Sequence, residues 1–145
     1  MKDLEQYLAD VVEPTIQDFV ENPTSVRHAF LACVVTCHAV DYLAFPRKPQ
    51  ATRAKFRKES KDYKLVDLAG HAFKHVITGN RVKPDLRAKA VIRRPPAAVG
   101  DAIIGLSRVG DRTGGVTLKD DPTVDLLTVV KNAAAFLRSK INVAD

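Results

Sequence analysis

The chain has 145 residues, of which 46% are hydrophobic and 28% are charged, a balance typical of one globular domain of roughly 100 to 200 residues. Its 23 lysines and arginines outnumber its 17 acidic residues, so the formal net charge is +6. The first residues are partly acidic, whereas a signal peptide needs a basic segment and an apolar core, and no apolar run approaches the ~20 residues of a membrane span. We therefore expect a single cytoplasmic domain over residues 1–145, with no membrane partner.

Hydrophobic residues recur at helical spacing along the first third of the chain. A first helix is predicted over residues 3–21, with a start or a kink at Pro14, because proline lacks the backbone N–H that a helix interior uses. A second helix is predicted from Thr24 or Ser25 to about Ala44. Its wide apolar face makes it the expected central helix of the fold.

Three more helices are predicted after the proline-rich break that follows the second helix. A short basic helix is expected over residues 52–58, and a longer amphipathic helix over about residues 61–78. The last helix is expected to be capped by Asp121 or Thr123, because both residue types accept hydrogen bonds from the free amides of a first turn. The basic residues in its final turn suit the negative end of the helix dipole.

Between these helices lies a segment of different character. Residues 80–101 contain proline breaks and no sustained period, which indicates an excursion across the surface. Two short apolar stretches, 102–109 and 116–118, flank a glycine-rich stretch and predict a β-hairpin at about residues 102–118. No Gly-Lys-Ser/Thr sequence follows these glycines, so a nucleotide-binding loop is not expected.

Four long helices in a chain of this length most easily form an up-and-down bundle, because none of them can bury its apolar face alone. The expected fold is therefore mainly α, a four-helix-type bundle with a small β-hairpin inserted before the last helix. Cys33 and Cys37 lie four residues apart in the most apolar run, which predicts a reduced pair in the core.

The histidines are the strongest candidates for chemistry. His71 and His75 lie four residues apart on one predicted helix face. Zinc helices use this spacing, but alanine follows the first histidine where a zinc protease needs glutamate. His38 and Asp41, three residues apart on the second helix, could complete a metal site. We nevertheless expect no cofactor and no tightly bound metal, because Lys74 would have to point away from such a site.

Three interpretations of these residues stay open. In the structural one, Asp67 accepts a hydrogen bond from His71 within a polar network that fixes the pairing of helices. In the second, the histidines and neighbouring cations bind an anion. In the third, His38 is oriented by Asp41 and acts with His71 as the catalytic residues of a hydrolase or nuclease-like enzyme. The predicted ligand-binding set is Arg27, His38, Asp41, His71, Lys74 and His75.

Three segments carry a resemblance to a known group of proteins. They are residues 27–32 with His38 and Asp41 downstream, residues 69–75, and the acidic start of the last helix at 121–127. In these segments the chain resembles uncharacterised bacterial helical-bundle proteins with a HEPN or abortive-infection-like fold. Catalytic HEPN proteins carry an arginine four to six residues before a histidine on one helix and cut RNA, whereas here Arg27 directly precedes His28 and lies eleven residues before His38. The resemblance therefore implies the fold and not the nuclease activity.

Basic residues are concentrated in two runs, Arg47–Lys64 and Arg81–Arg94, which border the same predicted helix. Such clustering is the electrostatic footprint of a protein that binds a phosphate backbone, and Phe45, Phe56 and Tyr63 could stack on bases. No recognition-helix, zinc-finger or RNA-recognition signature accompanies the runs. The predicted function is therefore a binding module for an anionic partner, either a phosphate-bearing ligand or a nucleic-acid backbone. The sequence leaves the oligomeric state open, a homodimer included.

Overall fold

The structure is a computed structural model that describes residues 3–79 and 84–141. It is mainly helical, and it contains two small antiparallel sheets of two strands each. The α-helices are α1 (Leu4–Tyr7), α2 (Glu13–Glu21), α3 (Val26–Ala44), α4 (Gln50–Glu59), α5 (Lys61–His75) and α6 (Leu126–Arg138). The strands are β1 (Ile77–Gly79), β2 (Pro84–Arg87), β3 (Val91–Arg94) and β4 (Gly115–Leu118). None of the described helices has the length and hydropathy needed to cross a membrane.

The first predicted helix continues through Pro14 without ending there. A π-helical segment, Leu8–Val12, joins α1 to α2, and the amide of Glu13 donates to the carbonyl of Leu8. Pro14 has no amide hydrogen to donate, and it lies at the start of α2, directly after the π-helical segment, where the helix type changes. The expected break at Pro14 is therefore a change of helix type within one continuous element.

The predicted central position of α3 is confirmed. Its first turn is capped by Ser25, whose hydroxyl oxygen accepts from the amide of His28 at 3.3 Å. The helix packs against α2, α5 and α6, and most of its buried residues are small, which lets its neighbours approach closely. Its fully buried residues include Cys33 and Cys37, which are free thiols as predicted.

Helices α3 and α5 approach each other closely at Gly70. A Cβ atom added at Gly70 would lie 2.9 Å from Cys37 Sγ and 3.1 Å from the carbonyl oxygen of Cys33. Real Cβ atoms essentially never come as near as 2.9 Å to another heavy atom. This contact brings the two helices together just beside the candidate polar residues.

Helices α4 and α5 both differ in length from their predictions. The short basic helix α4 covers Gln50–Glu59, a residue or two more at each end than expected. Helix α5 begins after the cap Ser60, as its pattern predicted, but it ends at His75 and not at residue 78. Val76 adopts a φ of 70°, which is rare for a β-branched residue, and it turns the chain into β1.

The predicted antiparallel sheet before the last helix is confirmed in outline. Strand β4 pairs with β3, and the register places Val91 opposite Leu118 and Arg94 opposite Gly115. Strand β1 pairs with β2 in the second sheet. The expected surface excursion at 80–101 therefore contains two strands, β2 and β3, whose partners lie elsewhere in the chain.

The predicted hairpin at 102–118 is wrong in its first strand. Residues 102–109 form successive turns, and the strand that pairs with β4 comes from before them. Gly105 and Gly110 adopt φ values of 78° and 81°, which reverse the backbone where a strand would have to run straight.

The N-terminus of α6 also differs from its prediction. The cap is Asp125, which accepts from the amide of Thr128 at 3.1 Å, whereas Asp121 and Thr123 bond to each other in a preceding turn. Asp125 also pairs with the buried Arg94 at 3.3 Å. The ion pair ties the end of β3 to the start of α6.

We expect Gly70→Ala to destabilise the protein by about 1 kcal/mol or more. Alanine in a helix interior gains about 1 kcal/mol over glycine, but overpacking a core costs about 1 to 3 kcal/mol, and here a backbone carbonyl stands in the way. Urea denaturation of both proteins measures the difference. In a Cys37→Ala background the loss should shrink, because the nearest atom is removed. A stabilised Gly70→Ala protein would contradict the close approach of the helices.

Candidate functional site

Helices α3, α4 and α5 meet at a group of charged and histidine side chains that we call the polar cluster. Two of these residues come from each of α3 and α4, and three come from α5. They are His38, Asp41, Arg53, Arg57, Asp67, His71 and Lys74. The cluster lies beside the close contact at Gly70, so the packing of α3 on α5 determines the positions of its members.

Arg53 lies at the centre of the polar cluster. Its NH2 group donates to Asp41 Oδ1 at 2.8 Å, and its NH1 group bonds to His71 Nε2 at 2.7 Å. The side chain is only 13% exposed. A single arginine from α4 therefore connects α3 to α5, which an arginine can do because its guanidinium holds several donors in a fixed plane.

Asp67 is a completely buried carboxylate on α5. Its Oδ2 atom accepts from Arg57, and its Oδ1 atom lies 4.0 Å from Arg53 NH1. Oδ1 has no hydrogen-bond partner among the described residues. Burying a carboxylate costs several kcal/mol unless cations accompany it, so the two arginines are a condition for folding α4 onto α5.

The predicted hydrogen bond from His71 to Asp67 is not formed. His71 Nε2 lies 3.6 Å from Asp67 Oδ1, which is too far for a hydrogen bond, and it faces the guanidinium of Arg53 at 2.7 Å. Because arginine only donates, Nε2 accepts, and the imidazole of His71 is neutral with its proton on Nδ1. His71 therefore bonds to Arg53 of α4 and not to Asp67 of its own helix.

The surroundings of His71 lower its pKa from the ordinary value of 6.5. Burial of the imidazole is the largest cause, because it disfavours the charged form. The carboxylate of Asp67 opposes the shift. The cations of Arg53, Arg57 and Lys74 add to it.

His38 lies at the surface end of the polar cluster and is held on both sides. Its Nδ1 atom is 2.9 Å from Asp41 Oδ2, and its Nε2 atom is 2.9 Å from Lys74 Nζ. An ammonium group only donates, so Nε2 accepts from Lys74 and Nδ1–H donates to Asp41. About a third of the His38 side chain is exposed. The predicted pairing of His38 with Asp41 on one face of α3 is thus present.

Two predicted site residues lie at the edge of this arrangement or beyond it. The ring of His75 stacks beside that of His71 with centroids 6.2 Å apart, and it faces a shallow groove of about 430 Å³. Arg57, Ile77 and Asp85 also line this groove. Arg27 lies on the exposed side of the first turn of α3, about 16 Å along the helix from His38 at 1.5 Å per residue. The polar cluster therefore unites His38, Asp41, His71 and Lys74 but not Arg27.

The metal interpretation meets a specific obstacle at the imidazoles. The Nε2 atoms of His38 and His71 both accept from cations, so a metal ion would have to displace Lys74 and Arg53 to reach them. Within residues 3–79 and 84–141, no group of three or more histidine, cysteine, aspartate or glutamate side chains is placed to hold a metal ion.

Sequence reasoning missed Arg53, Arg57 and Asp67 as members of the site. The two arginines were counted only as part of a basic run, although their i, i+4 spacing places them on one face of α4. Asp67 was considered only as a local partner for His71. An acidic residue at an apolar-face position of α5 was the signal that two nearby cations should be sought.

The basic run Arg47–Lys64 divides into inward and outward residues. Arg53 and Arg57 belong to the polar cluster, whereas the others are exposed. The exposed ones are Arg47, Lys48, Lys55, Lys58, Lys61 and Lys64. Their side chains leave a positive surface on α4 and the first turn of α5.

Only part of the second basic run, Arg81–Arg94, lies within the described residues. Arg81 and Lys83 lie outside the described residues. Arg87, Lys89 and Arg93 are exposed, whereas Arg94 is buried in its ion pairs with acidic residues. Such a buried arginine cannot contact a phosphate backbone.

The expectation that Phe56 and Tyr63 stack on bases is wrong. Phe56 is 4% exposed and Tyr63 is fully buried, and their rings meet edge to face at 5.7 Å. Both also contact the ring of Phe136 on α6. They are core residues that hold α4 and α5 against α6, and Phe45 alone of the three is exposed.

No protein-family model matches the chain, and no curated protein or solved structure matches it either. The case for its function therefore comes from the geometry of the polar cluster and the charges around it.

We expect the free energy of unfolding to fall as the pH drops below about 6.5, in part because of His71. Its folded-state pKa is lowered, so the unfolded chain takes up the proton first and is favoured in acid. The contribution of neutral His71 to the free energy of unfolding is fully present above its ordinary pKa of 6.5, and it is lost as the pH falls through the lower pKa of the folded state. In His71→Gln, which keeps an acceptor for Arg53, the dependence on pH should become shallower.

Urea denaturation at a series of pH values measures this difference. The matched control is His75→Gln, which removes an exposed histidine four residues further along α5 and should retain the wild-type dependence. A His71→Gln protein with the wild-type slope would show that the surroundings of His71 do not disfavour its protonation.

Proposed function

We propose that this chain binds a phosphate-bearing ligand and that the ligand contacts Lys74 at the surface of the polar cluster. The observation that carries the proposal is the position of the Lys74 ammonium. It is exposed, it donates to the neutral imidazole of His38, and it forms no ion pair with a carboxylate of the described residues. A cation held in place by an uncharged partner keeps its charge available for an anion.

The balance of fixed charges in the polar cluster supports this proposal. Arg57 is paired with Asp67, and Arg53 is paired with Asp41. Three fixed cations thus face two carboxylates, and the unmatched charge is that of Lys74. Phosphate oxygens accept charge-assisted hydrogen bonds from lysine, which binds phosphate as a compact point charge.

The exposed lysines and arginines of the run Arg47–Lys64 favour a nucleic-acid backbone as the source of the phosphate. They lie just before α4, along α4 and in the first turn of α5, whereas Lys74 lies in the last turn of α5. A row of such cations attracts a polyanion over distances of about a Debye length. Because contacts from lysine and arginine to phosphates carry no sequence information, we expect binding with little preference for base sequence.

We expect Lys74→Gln to weaken the binding of a fluorescently labelled single-stranded RNA by about tenfold, since a hydrogen bond to a charged group is worth about 1.5 to 3 kcal/mol. Fluorescence anisotropy at low salt measures the affinity. Raising the salt concentration should weaken wild-type binding steeply, because each neutralised phosphate releases counterions.

The control for this experiment is Lys131→Gln, which removes the same charge from an exposed position on α6. It should change the affinity by less than about twofold if the contact is local. Inorganic phosphate added as a competitor distinguishes the two sources of the ligand, because displacement of RNA at low phosphate concentration favours a small phosphate ligand. Equal losses in the two variants, or no RNA binding at low salt, would overturn the proposal.

A second candidate function is cleavage of RNA, and the pairing of His38 with Asp41 favours it. The carboxylate accepts from Nδ1–H and leaves Nε2 with its lone pair toward the surface, which is the arrangement of a general base. A bound phosphate would draw Lys74 away from Nε2. The proton of a ribose 2′-hydroxyl then passes to Nε2, the oxygen attacks the adjacent phosphorus, and the departing 5′-oxygen takes a proton from Lys74.

We expect His38→Gln to retain RNA binding and to lose cleavage by at least about 100-fold, the usual contribution of a general base. Glutamine still offers an oxygen to Lys74 but cannot take up a proton at neutral pH. Gel analysis of a defined RNA, with detection of 2′,3′-cyclic phosphate ends, measures the reaction. Intact RNA after long incubation with the wild-type protein would exclude this candidate and leave the binding function in place.

The finer description of the fold is also a proposal, namely an up-and-down four-helix bundle related to the HEPN type. Its support is the packing of the long helices, since α3 and α6 each contact α2 and α5 as well as each other. Helix α4 then lies outside the bundle, against α5. The sequence lacks the HEPN arrangement of arginine and histidine, so the relationship concerns the architecture and not the RNA chemistry proposed for His38.

A further inference from the structure

Phe45 is the one aromatic side chain that lies in solvent among the described residues. The chain has six phenylalanines and three tyrosines, and all of them fall within residues 3–79 and 84–141. The others are buried or half-buried, whereas Phe45 is 81% exposed. Single exposed apolar residues are common on protein surfaces, so a role for Phe45 depends on what lies around it.

Phe45 lies on the same face of α3 as two residues of the polar cluster. Asp41 follows His38 by three residues and Phe45 follows Asp41 by four, so at about 3.6 residues per turn the three positions form one stripe. The helical arrangement reaches Phe45, because its amide donates to the carbonyl of Asp41 at 3.1 Å and its φ is −54°. We call these three positions the α3 stripe. At about 1.5 Å per residue, Phe45 lies ~10 Å along the helix from His38.

Exposed cations lie at both ends of the α3 stripe. At one end, Lys74 donates to His38 Nε2 at 2.9 Å. At the other end, Arg47 and Lys48 follow Phe45 directly after one proline, and both are exposed. An anionic chain that runs along the stripe therefore meets a cation on each side of the aromatic ring.

Asp41, the acidic residue of the α3 stripe, is neutralised within the polar cluster. Its Oδ1 atom accepts from Arg53 at 2.8 Å, and its Oδ2 atom lies 2.9 Å from His38 Nδ1. Both carboxylate oxygens therefore already have a donor. The α3 stripe, all of whose residues are described, presents no unpaired carboxylate to an approaching anion.

We propose that the α3 stripe binds a single-stranded nucleic acid, with a phosphate group on Lys74 and an unpaired base stacked on the ring of Phe45. This inference rests on the proposed phosphate contact at Lys74, and it adds the class of ligand. Proteins that bind single strands without sequence preference combine cations for the backbone with aromatic rings for the bases. The ~10 Å between His38 and Phe45 correspond to about three nucleotides at a stacked spacing of ~3.4 Å. The bases of a duplex are already paired and stacked, so a duplex offers this surface only its phosphates.

Fluorescence anisotropy at low salt tests the contact with the base. The probe is a labelled DNA of about 12 nucleotides, within the usual site size, as a single strand and annealed to its complement. DNA lacks the 2′-hydroxyl group, so it stays intact even if the chain cleaves RNA. Phe45→Leu, which keeps an apolar side chain without a ring, should weaken binding of the single strand by at least about fivefold, since stacking on a base is lost. It should change binding of the duplex by less than about twofold. Phe45→Trp, which keeps a ring, should retain the wild-type affinity for the single strand.

Tryptophan fluorescence locates the base. The chain contains no tryptophan, so Phe45→Trp places the only indole of the protein at the proposed position. Its emission should fall on titration with the single strand, because a stacked base quenches an indole, and it should stay nearly constant with inorganic phosphate. The matched control is Ile104→Trp, which puts an indole at another exposed position outside the α3 stripe and should not be quenched.

Three outcomes would overturn this inference. One is a Phe45→Leu protein that binds the single strand as tightly as the wild type does. The second is an equal loss of affinity for the single strand and the duplex, which would show that the ring does not act through a base. The third is unquenched Phe45→Trp at saturating single strand. If Lys74→Gln still weakens RNA binding in any of these cases, the phosphate contact at Lys74 stands without the stacking contact. If the wild-type chain binds neither DNA nor RNA at low salt, both proposals fail.

Discussion

The buried carboxylate of Asp67 is the constraint on which the arrangement of α4 depends. A carboxylate without water is stable only when cations replace the lost hydration, and α5 itself supplies none that reaches it. The cations come from α4, where Arg57 bonds to Asp67 and Arg53 lies one turn earlier on the same face. Phe56, between them, packs into the aromatic group of the core. Charge neutralisation and apolar burial therefore both hold α4 against α5.

The polar cluster has a buried half that holds α4 in place and a surface half that contains His38 and Lys74. Asp67, Arg53 and Arg57 hold α4 in place. Arg53 also fixes Asp41, which in turn orients His38 at the surface. The structural and functional interpretations of these residues are therefore compatible. The network that stabilises the fold is also what holds His38 and Lys74 where a ligand can reach them.

Features of the fold and of the polar cluster that depend on residues close together in the chain could be predicted from the sequence. Contacts between distant elements could not. The period of α3, its start near Ser25 and the pairing of His38 with Asp41 all depend on residues close together in the chain, and the structure agrees with these predictions. The bond between Arg53 and His71 joins two helices across eighteen residues of chain, and no local pattern encodes it. The partner of β4 was predicted wrongly for the same reason, because residues 95–114 lie between β3 and β4 in the chain.

The net charge of +6 conceals a separation of charge across the molecule. The acidic helix α2 packs on α3 and α6, whereas the basic helix α4 packs on α3 and α5. An anionic partner is therefore attracted to the side of α4 and α5 and repelled from the side of α2. The distribution of these charges, and not the net charge alone, would therefore orient the approach of a polyanion.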